Sequence, residues 1–144
     1  MTERIEIRPF AKAAMLAPLL GAAMIGGVLL VLLGASGADP GTSVGITAMT
    51  VIVGLAWGVP FYAVFGLPLF WSALRRRFAS FPALAGTAFV ANLLAALVHA
   101  MIESLITGQS SSAALTLVIG SGVAPIWGAC FAYLYTPSQH RRLQ

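Results

Sequence analysis

Four long runs of apolar residues set the strongest limit on the fold of this 144-residue chain. They cover residues 13–36, 44–74, 83–106 and 113–135. A helix needs about 20 residues to cross a hydrocarbon core of about 30 Å, and each run is long enough to do so. The pattern therefore predicts an all-α integral membrane protein, and four antiparallel helices joined by short links are its simplest arrangement.

The composition agrees with this class, because 59% of the residues are hydrophobic and only 8% are charged. A soluble domain carries about 25% charged residues. No shift in composition and no internal repeat divides the chain, so residues 1–144 are expected to form one domain. A secretory signal is the alternative for the first run. That run exceeds the 7 to 15 apolar residues of a typical signal, so we expect a true span.

The basic residues predict the topology, because they alternate with the apolar runs. The links over residues 34–42 and 107–112 contain no Lys or Arg. All eight basic residues lie at the two ends of the chain or in the middle link: Arg4, Arg8, Lys12, Arg75, Arg76, Arg77, Arg141 and Arg142. The positive-inside rule then predicts that both termini lie in the cytoplasm. The membrane is expected to be the inner membrane of the cell. The net charge of +4 is thus a topology signal and does not indicate a nucleic-acid partner.

The triple-arginine link, Arg75 to Arg77, has two interpretations. It is a cytoplasmic topology anchor, or it is a site for phosphate or lipid headgroups. We favour the anchor, although an anionic lipid would be attracted to it.

Small residues recur at helical spacing in the fourth run, where Gly120, Ala124, Gly128 and Ala132 are each four residues apart. Such rows let helix backbones approach closely in lipid. The face they form is expected to pack inside the bundle, and the alternative is a contact between copies of the chain.

Prolines predict bends in the second and fourth runs. The second run has about 30 residues, which is too long for a straight upright span. Pro60 and Pro68 are its candidate kinks, and Pro125 is the candidate in the fourth run. Broken helices can expose carbonyl groups to an ion or substrate, but prolines are also common in membrane helices without that role.

The third run contains the chain's most unusual feature, a polar stripe formed by Asn92, His99 and Glu103. At 100° per residue these side chains share one helix face with several alanines, and large apolar side chains occupy the opposite face. Exposing an ionisable group to lipid costs roughly several kcal/mol of free energy, so the stripe should face the bundle or another subunit.

Two hypotheses explain the stripe. In the structural one, Asn92 forms an interhelical hydrogen bond, His99 is a satisfied buried histidine and Glu103 lies at the membrane interface. In the functional one, the stripe lines a water-filled pocket in which His99 and Glu103, one turn apart, share a proton or bind a cation.

Other chemistries have little support. The single cysteine, Cys130, cannot form an internal disulfide. The His99 and Glu103 pair falls short of a zinc site, and haem would need a methionine or a second copy of His99. The chain has no motif of hydrolysis or phosphoryl transfer. We therefore expect no cofactor, no metal and no enzymatic activity.

The sequence favours a small inner-membrane accessory or interaction subunit, with the lipid bilayer and either a second copy or another membrane protein as its partners. The alternative is a small oligomeric transporter or channel for ions or protons, with the polar stripe along its path.

Overall fold

The structure is a computed structural model that describes residues 7–76, 80–108 and 111–140. Every regular element in these residues is helical. The elements are α1 (Ile7–Ala35), α2 (Pro40–Phe61), a π-helical turn (Tyr62–Gly66), α3 (Leu67–Arg75), α4 (Phe81–Thr107) and α5 (Ser111–His140). Four helical stretches are long and apolar enough to cross a membrane: Ile7–Ala35, Pro40–Arg75, Phe81–Thr107 and Ser112–Tyr135. This confirms the predicted all-helical multi-pass membrane class.

The turn between α1 and α2 is built from local hydrogen bonds. Gly37 has a φ of 78°, which a residue without a Cβ adopts readily, and the Ala38 N–H donates to the carbonyl of Leu33 across the end of α1. Asp39 then caps α2, because its carboxylate accepts from the Thr42 N–H at 2.9 Å. Four residues, 36–39, therefore connect α1 to α2, and local hydrogen bonds satisfy several of the free groups at the two helix ends.

The long second span departs from α-helical geometry between its two prolines. Pro60 lies in α2 just before the π-helical turn, and Pro68 is the second residue of α3. In the turn, the Leu67 N–H donates to the carbonyl of Tyr62, five residues back. Proline lacks an N–H, and the ring of Pro68 crowds the carbonyl four residues before it. The wider turn accommodates both effects.

The helices pack unequally around α5. This helix packs most extensively against α4 and also packs against α1, whereas α2 packs mainly against α1. The π-helical turn and α3 pack against α4. The second span therefore contacts α4 at one end and leaves a gap beside α4 and α5 along most of α2.

An aromatic core fills the end of the molecule where α1 begins and α3 ends. The Phe10 ring lies 5.1 Å from the Trp71 ring and 5.3 Å from the Phe131 ring, both edge to face. The Phe70 and Phe131 rings are 4.7 Å apart, and Tyr135 stacks on Phe131. Aromatic contacts at these distances add about 0.5–1.5 kcal/mol each beyond burial. This end is thus the best-packed part of the bundle.

Two of the predicted anchors, Arg75 and Arg76, lie at the same end, and both are exposed. The guanidinium of Arg75 lies 5.6 Å from the centre of the Trp71 ring, within range of a cation–π contact. Arg76 caps α3 through its backbone N–H. Arg77 lies outside the described residues.

Candidate functional site

The polar stripe of α4 faces α5. Asn92, His99 and Glu103 are half-buried, whereas side chains on the other side of α4, such as Met101 and Leu105, are exposed. Alanines between the polar residues are buried and let the two helices approach closely. The stripe therefore lies at the α4–α5 contact.

Glu103 caps the beginning of α5. Its Oε1 accepts a hydrogen bond from the Ser112 N–H, and its Oε2 accepts one from the Ala113 N–H, both at 3.0 Å. Gly108, with a φ of 70°, ends α4 in a left-handed conformation, and its N–H donates to the Ser104 carbonyl. A carboxylate at a helix N-terminus accepts hydrogen bonds from free N–H groups and interacts favourably with the helix dipole. Both oxygens of Glu103 are therefore committed to holding α5 against α4.

His99 lies between hydroxyl groups of α5 and aromatic rings of α2. Its Nδ1 is 2.9 Å from Thr116 Oγ1, and its Nε2 is 3.1 Å from Ser112 Oγ. The imidazole stacks on Phe61 at 5.8 Å and lies 5.7 Å from the Trp57 ring. The Trp57 indole N–H donates to Thr116 Oγ1 at 3.2 Å. His99 thus joins three helices at one point.

The hydroxyl partners of His99 suit either protonation state of the ring. A hydroxyl group can donate or accept, so Ser112 Oγ can donate to a neutral Nε2 or accept from a protonated one. Thr116 Oγ1 also reaches the Ser112 carbonyl at 3.2 Å. His99 can therefore keep both contacts whether it is neutral or charged.

Asn92 is held more loosely. Its Nδ2 donates to the carbonyl of Leu117 at 3.5 Å, the limit of a hydrogen bond. Its Oδ1 lies where a Cβ on Gly120 would sit. Further along α5, a Cβ on Gly128 would meet the Leu84 carbonyl and the Ala88 side chain. The small-residue row of α5 thus faces α4 at Gly120 and Gly128.

Two residues of this cluster, Ser112 and Thr116, were not expected from the sequence. They belong to the same row as the small residues, because Ser112, Thr116, Gly120, Ala124 and Gly128 are each four residues apart. A row that begins with two hydroxyls opposite a polar stripe is the signal that would have found them. Ser112 falls in the predicted link over residues 107–112, and the predicted row of small residues begins at Gly120.

The three predicted kink prolines lie within or at the start of helices of the second and fourth spans. Pro60 and Pro68 are exposed on either side of the π-helical turn, and Pro125 is half-buried within α5. A further proline, Pro18, is buried within α1, where no bend was predicted.

A cavity of about 540 Å³ lies beside the stripe, in the gap between α2 and the α4–α5 pair. Its walls are almost entirely apolar and include many small residues, such as Gly54, Gly58, Ala91 and Ala95. Thr50, Asn92, Ser112 and Thr116 are its polar lining residues. The rings of Tyr62 and Trp127 close it at the end nearer the aromatic core.

Trp127 fixes that closed end. A Cβ on Gly21 would overlap the pyrrole edge of its indole, and a Cβ on Gly58 would overlap the benzo edge. The ring is therefore wedged between α1 and α2, and only 4% of the residue is exposed. Trp127 Nε1 and the Tyr62 hydroxyl are buried without a hydrogen-bond partner in the described part of the chain.

The side chains of this cluster offer hydrogen-bonding groups. Among residues 7–76, 80–108 and 111–140, no three His, Cys, Asp or Glu side chains are grouped to hold a metal ion. Cys130 is buried, with its Sγ 3.8 Å from the Met24 sulfur. Comparisons with models of protein families, with curated proteins and with solved structures found no match.

Proposed function

We propose that this chain is an accessory or interaction subunit of the cell inner membrane, without enzymatic activity and with both termini in the cytoplasm. The one-sided distribution of Lys and Arg supports this topology for a four-helix antiparallel bundle. The protein acts by binding another membrane protein inside the bilayer, and a second copy of the chain is the other candidate partner.

The hydrogen bonds between the polar stripe and α5 favour this proposal over the transporter. A path for ions or protons needs side chains that water or an ion can reach. Instead, both oxygens of Glu103 bind the start of α5, and both ring nitrogens of His99 contact α5 hydroxyls. These groups stabilise the α4–α5 pair, which leaves a scaffold role as the simpler function.

The short links between the helices indicate that a partner binds inside the bilayer. Residues 36–39 connect α1 to α2, and α4 is separated from α5 by residues 108–110. Links of this length offer little surface outside the bilayer, so recognition takes place largely between helices. Most large side chains of α2 are exposed, and among its residues Ser43 and Thr47 are the buried ones.

The test is the composition of the native complex, combined with site-specific photo-crosslinking. The chain would be extracted in a mild detergent after a photoreactive residue replaces one exposed side chain on each span: Leu19, Ile52, Met101 or Val118. We expect a stoichiometric complex with another membrane protein and a discrete adduct from one span. The buried Leu84 is the control position, and it should give no intermolecular adduct.

Two outcomes would contradict the accessory role. A homo-oligomer that conducts a pH-dependent flux in liposomes would favour the transporter. A monomer with no adduct at any of the four positions would leave no partner for an interaction subunit to bind.

A further inference from the structure

The shape of the cavity limits what can fill it. It extends along α5 from Ser112 to Trp127, which are fifteen residues apart and so about 22 Å by helix rise. Taken over the positions open to the centre of a water molecule, its volume then corresponds to a mean cross-section of about 25 Å². With the radius of a water molecule added, the cavity is about 8 Å wide. A helix with side chains is about 10–12 Å wide. The enclosed part of the cavity is therefore too narrow for a helix that carries large side chains.

The walls of the cavity suit a hydrocarbon chain. The lining is apolar along nearly its whole length, and glycine and alanine leave a smooth surface on all three helices. Because α2 makes little contact with α4 and α5 beyond the Trp57 and Phe61 rings, the cavity is open to the side. A chain can enter from the bilayer without crossing a polar barrier.

The two ends of the cavity differ in chemistry. The hydroxyls of Ser112 and Thr116 line the end near the α4–α5 turn, where a span leaves the hydrocarbon core. The Tyr62 and Trp127 rings line the other end. Ser112 lies where a span leaves the hydrocarbon core, and Trp127 lies well inside the same span, so an amphiphile fits with its polar group near Ser112 and its chain toward Trp127.

We propose that this cavity is a binding site for one extended acyl chain of a membrane amphiphile. The chain follows α5 for about 22 Å, whereas half of the hydrocarbon core is only about 15 Å deep. It is therefore held straight and passes the middle of the bilayer to reach Trp127. The inference concerns the cavity alone and does not depend on the accessory role.

Fluorescence of Trp127 in vesicles of brominated phosphatidylcholine tests the proposal, because bromine quenches indole over short distances. The other two tryptophans would be removed by Trp57→Phe and Trp71→Phe. We expect Trp127 to be quenched although it is buried. We expect Gly54→Leu, which fills the cavity, to halve this quenching or reduce it further, and Gly54→Ala to have an intermediate effect.

Gly27→Leu is the matched control. A Cβ at Gly54 or Gly27 meets no heavy atom within 4 Å, so both positions have space for the first atom of a side chain. Gly54 lines the cavity, whereas Gly27 lies on the exposed side of α1. Quenching that is equal in the Gly54→Leu and Gly27→Leu proteins would overturn the proposal, as would an unquenched Trp127.

A measurement on the unmodified tryptophans covers the case in which Trp57→Phe weakens the fold. Native mass spectrometry in mild detergent should find one bound lipid on the wild-type chain and on Gly27→Leu, and none on Gly54→Leu. The bound mass separates a phospholipid from a free fatty acid, and either supports the site. If Gly54→Leu removes a protein partner and leaves lipid retention unchanged, the cavity holds side chains of that partner and the proposal is wrong.

Discussion

Gly120 is a residue at which one added methyl group would displace the Asn92 side chain from its contact with α5. Its missing Cβ leaves the space that the Asn92 side chain occupies. We expect Gly120→Ala to lower the free energy of unfolding by about 1–3 kcal/mol, as overpacking does in a closely fitted interface. Alanine has the higher helix propensity, by about 1 kcal/mol, so any loss of stability must come from the clash. Reversible denaturation in detergent measures the change.

Two further variants isolate the cause. Gly122→Ala is the control, because a Cβ at Gly122 meets no heavy atom within 4 Å, and it should be neutral or stabilising. Asn92→Ala should restore space for the methyl group, so the double variant should recover stability with a coupling of about 0.5–3 kcal/mol. If Gly120→Ala costs no more than Gly122→Ala, the Asn92–Gly120 contact does not limit the approach of α4 and α5.

The sequence predicts which face of α4 is polar, but it does not identify the partners of that face. Spacing alone places Asn92, His99 and Glu103 on one side of a helix. The hydrogen bonds that join His99 and Glu103 to Ser112 and Thr116 depend on which helix lies opposite and at what height. The order of helices in a membrane depends on close packing over many residues, so no short sequence pattern predicts it. The sequence thus predicted the class of the protein, but it did not predict which side chains interact in the cluster.

Among the elements, the π-helical turn determines how the second span meets its neighbours. A π-helical turn carries one more residue per turn than the helix around it and keeps the flanking faces aligned. The sequence places Pro60 and Pro68 eight residues apart and predicts bends there. It does not predict the extra residue, because prolines can also be accommodated by a kink.

Deleting one residue from the turn should restore an ordinary helix. We expect a chain that lacks Val64 and carries Pro68→Ala to stay folded, because both flanking segments keep their faces. A chain that lacks Ala48 and carries Pro68→Ala should lose stability, since a deletion in regular helix rotates one segment by about 100° against the other. Thermal unfolding and monodispersity in detergent compare the two. Equal loss in both would show that the π-helical turn does not absorb an extra residue.

At the scale of the whole molecule, the two ends of the bundle are built differently. The end with Phe10, Trp71 and Phe131 is closed by aromatic packing, and exposed basic residues surround it. Toward the other end, a lateral cavity separates α2 from α4 and α5. The spacing of the basic residues predicted only that they gather at one end. The aromatic packing and the cavity both arise from helix placement and have no counterpart in composition.

The topology gives a direct prediction for the intact protein. Reporters fused after Thr2, Arg77 and Gln144 should indicate the cytoplasm, and reporters after Asp39 and Ser111 should indicate the opposite side, because all eight basic residues fall on one side of four spans. Replacing Arg75 and Arg76 with glutamine should weaken this preference. Fusions after Arg77 and Ser111 that report the same side would contradict the four-span topology.

The last prediction asks whether water reaches His99. In a chain with Cys130→Ala, a membrane-impermeant thiol reagent would be applied to Glu103→Cys, His99→Cys and Met101→Cys in separate proteins. We expect Glu103→Cys to react, because it lies next to the α4–α5 turn. His99→Cys should not react, since Trp57, Phe61 and the α5 hydroxyls cover that position, and Met101→Cys should be shielded by lipid.

Flux measurements in liposomes also test whether water reaches His99. His99→Ala removes the group that joins α2, α4 and α5, so it should lower thermal stability, and neither it nor the wild-type chain should support a pH-dependent flux. Reaction of His99→Cys together with a flux that His99→Ala abolishes would place a wet path along the stripe. That result would favour the transporter over the accessory subunit, because the imidazole would then exchange protons with water instead of only joining helices.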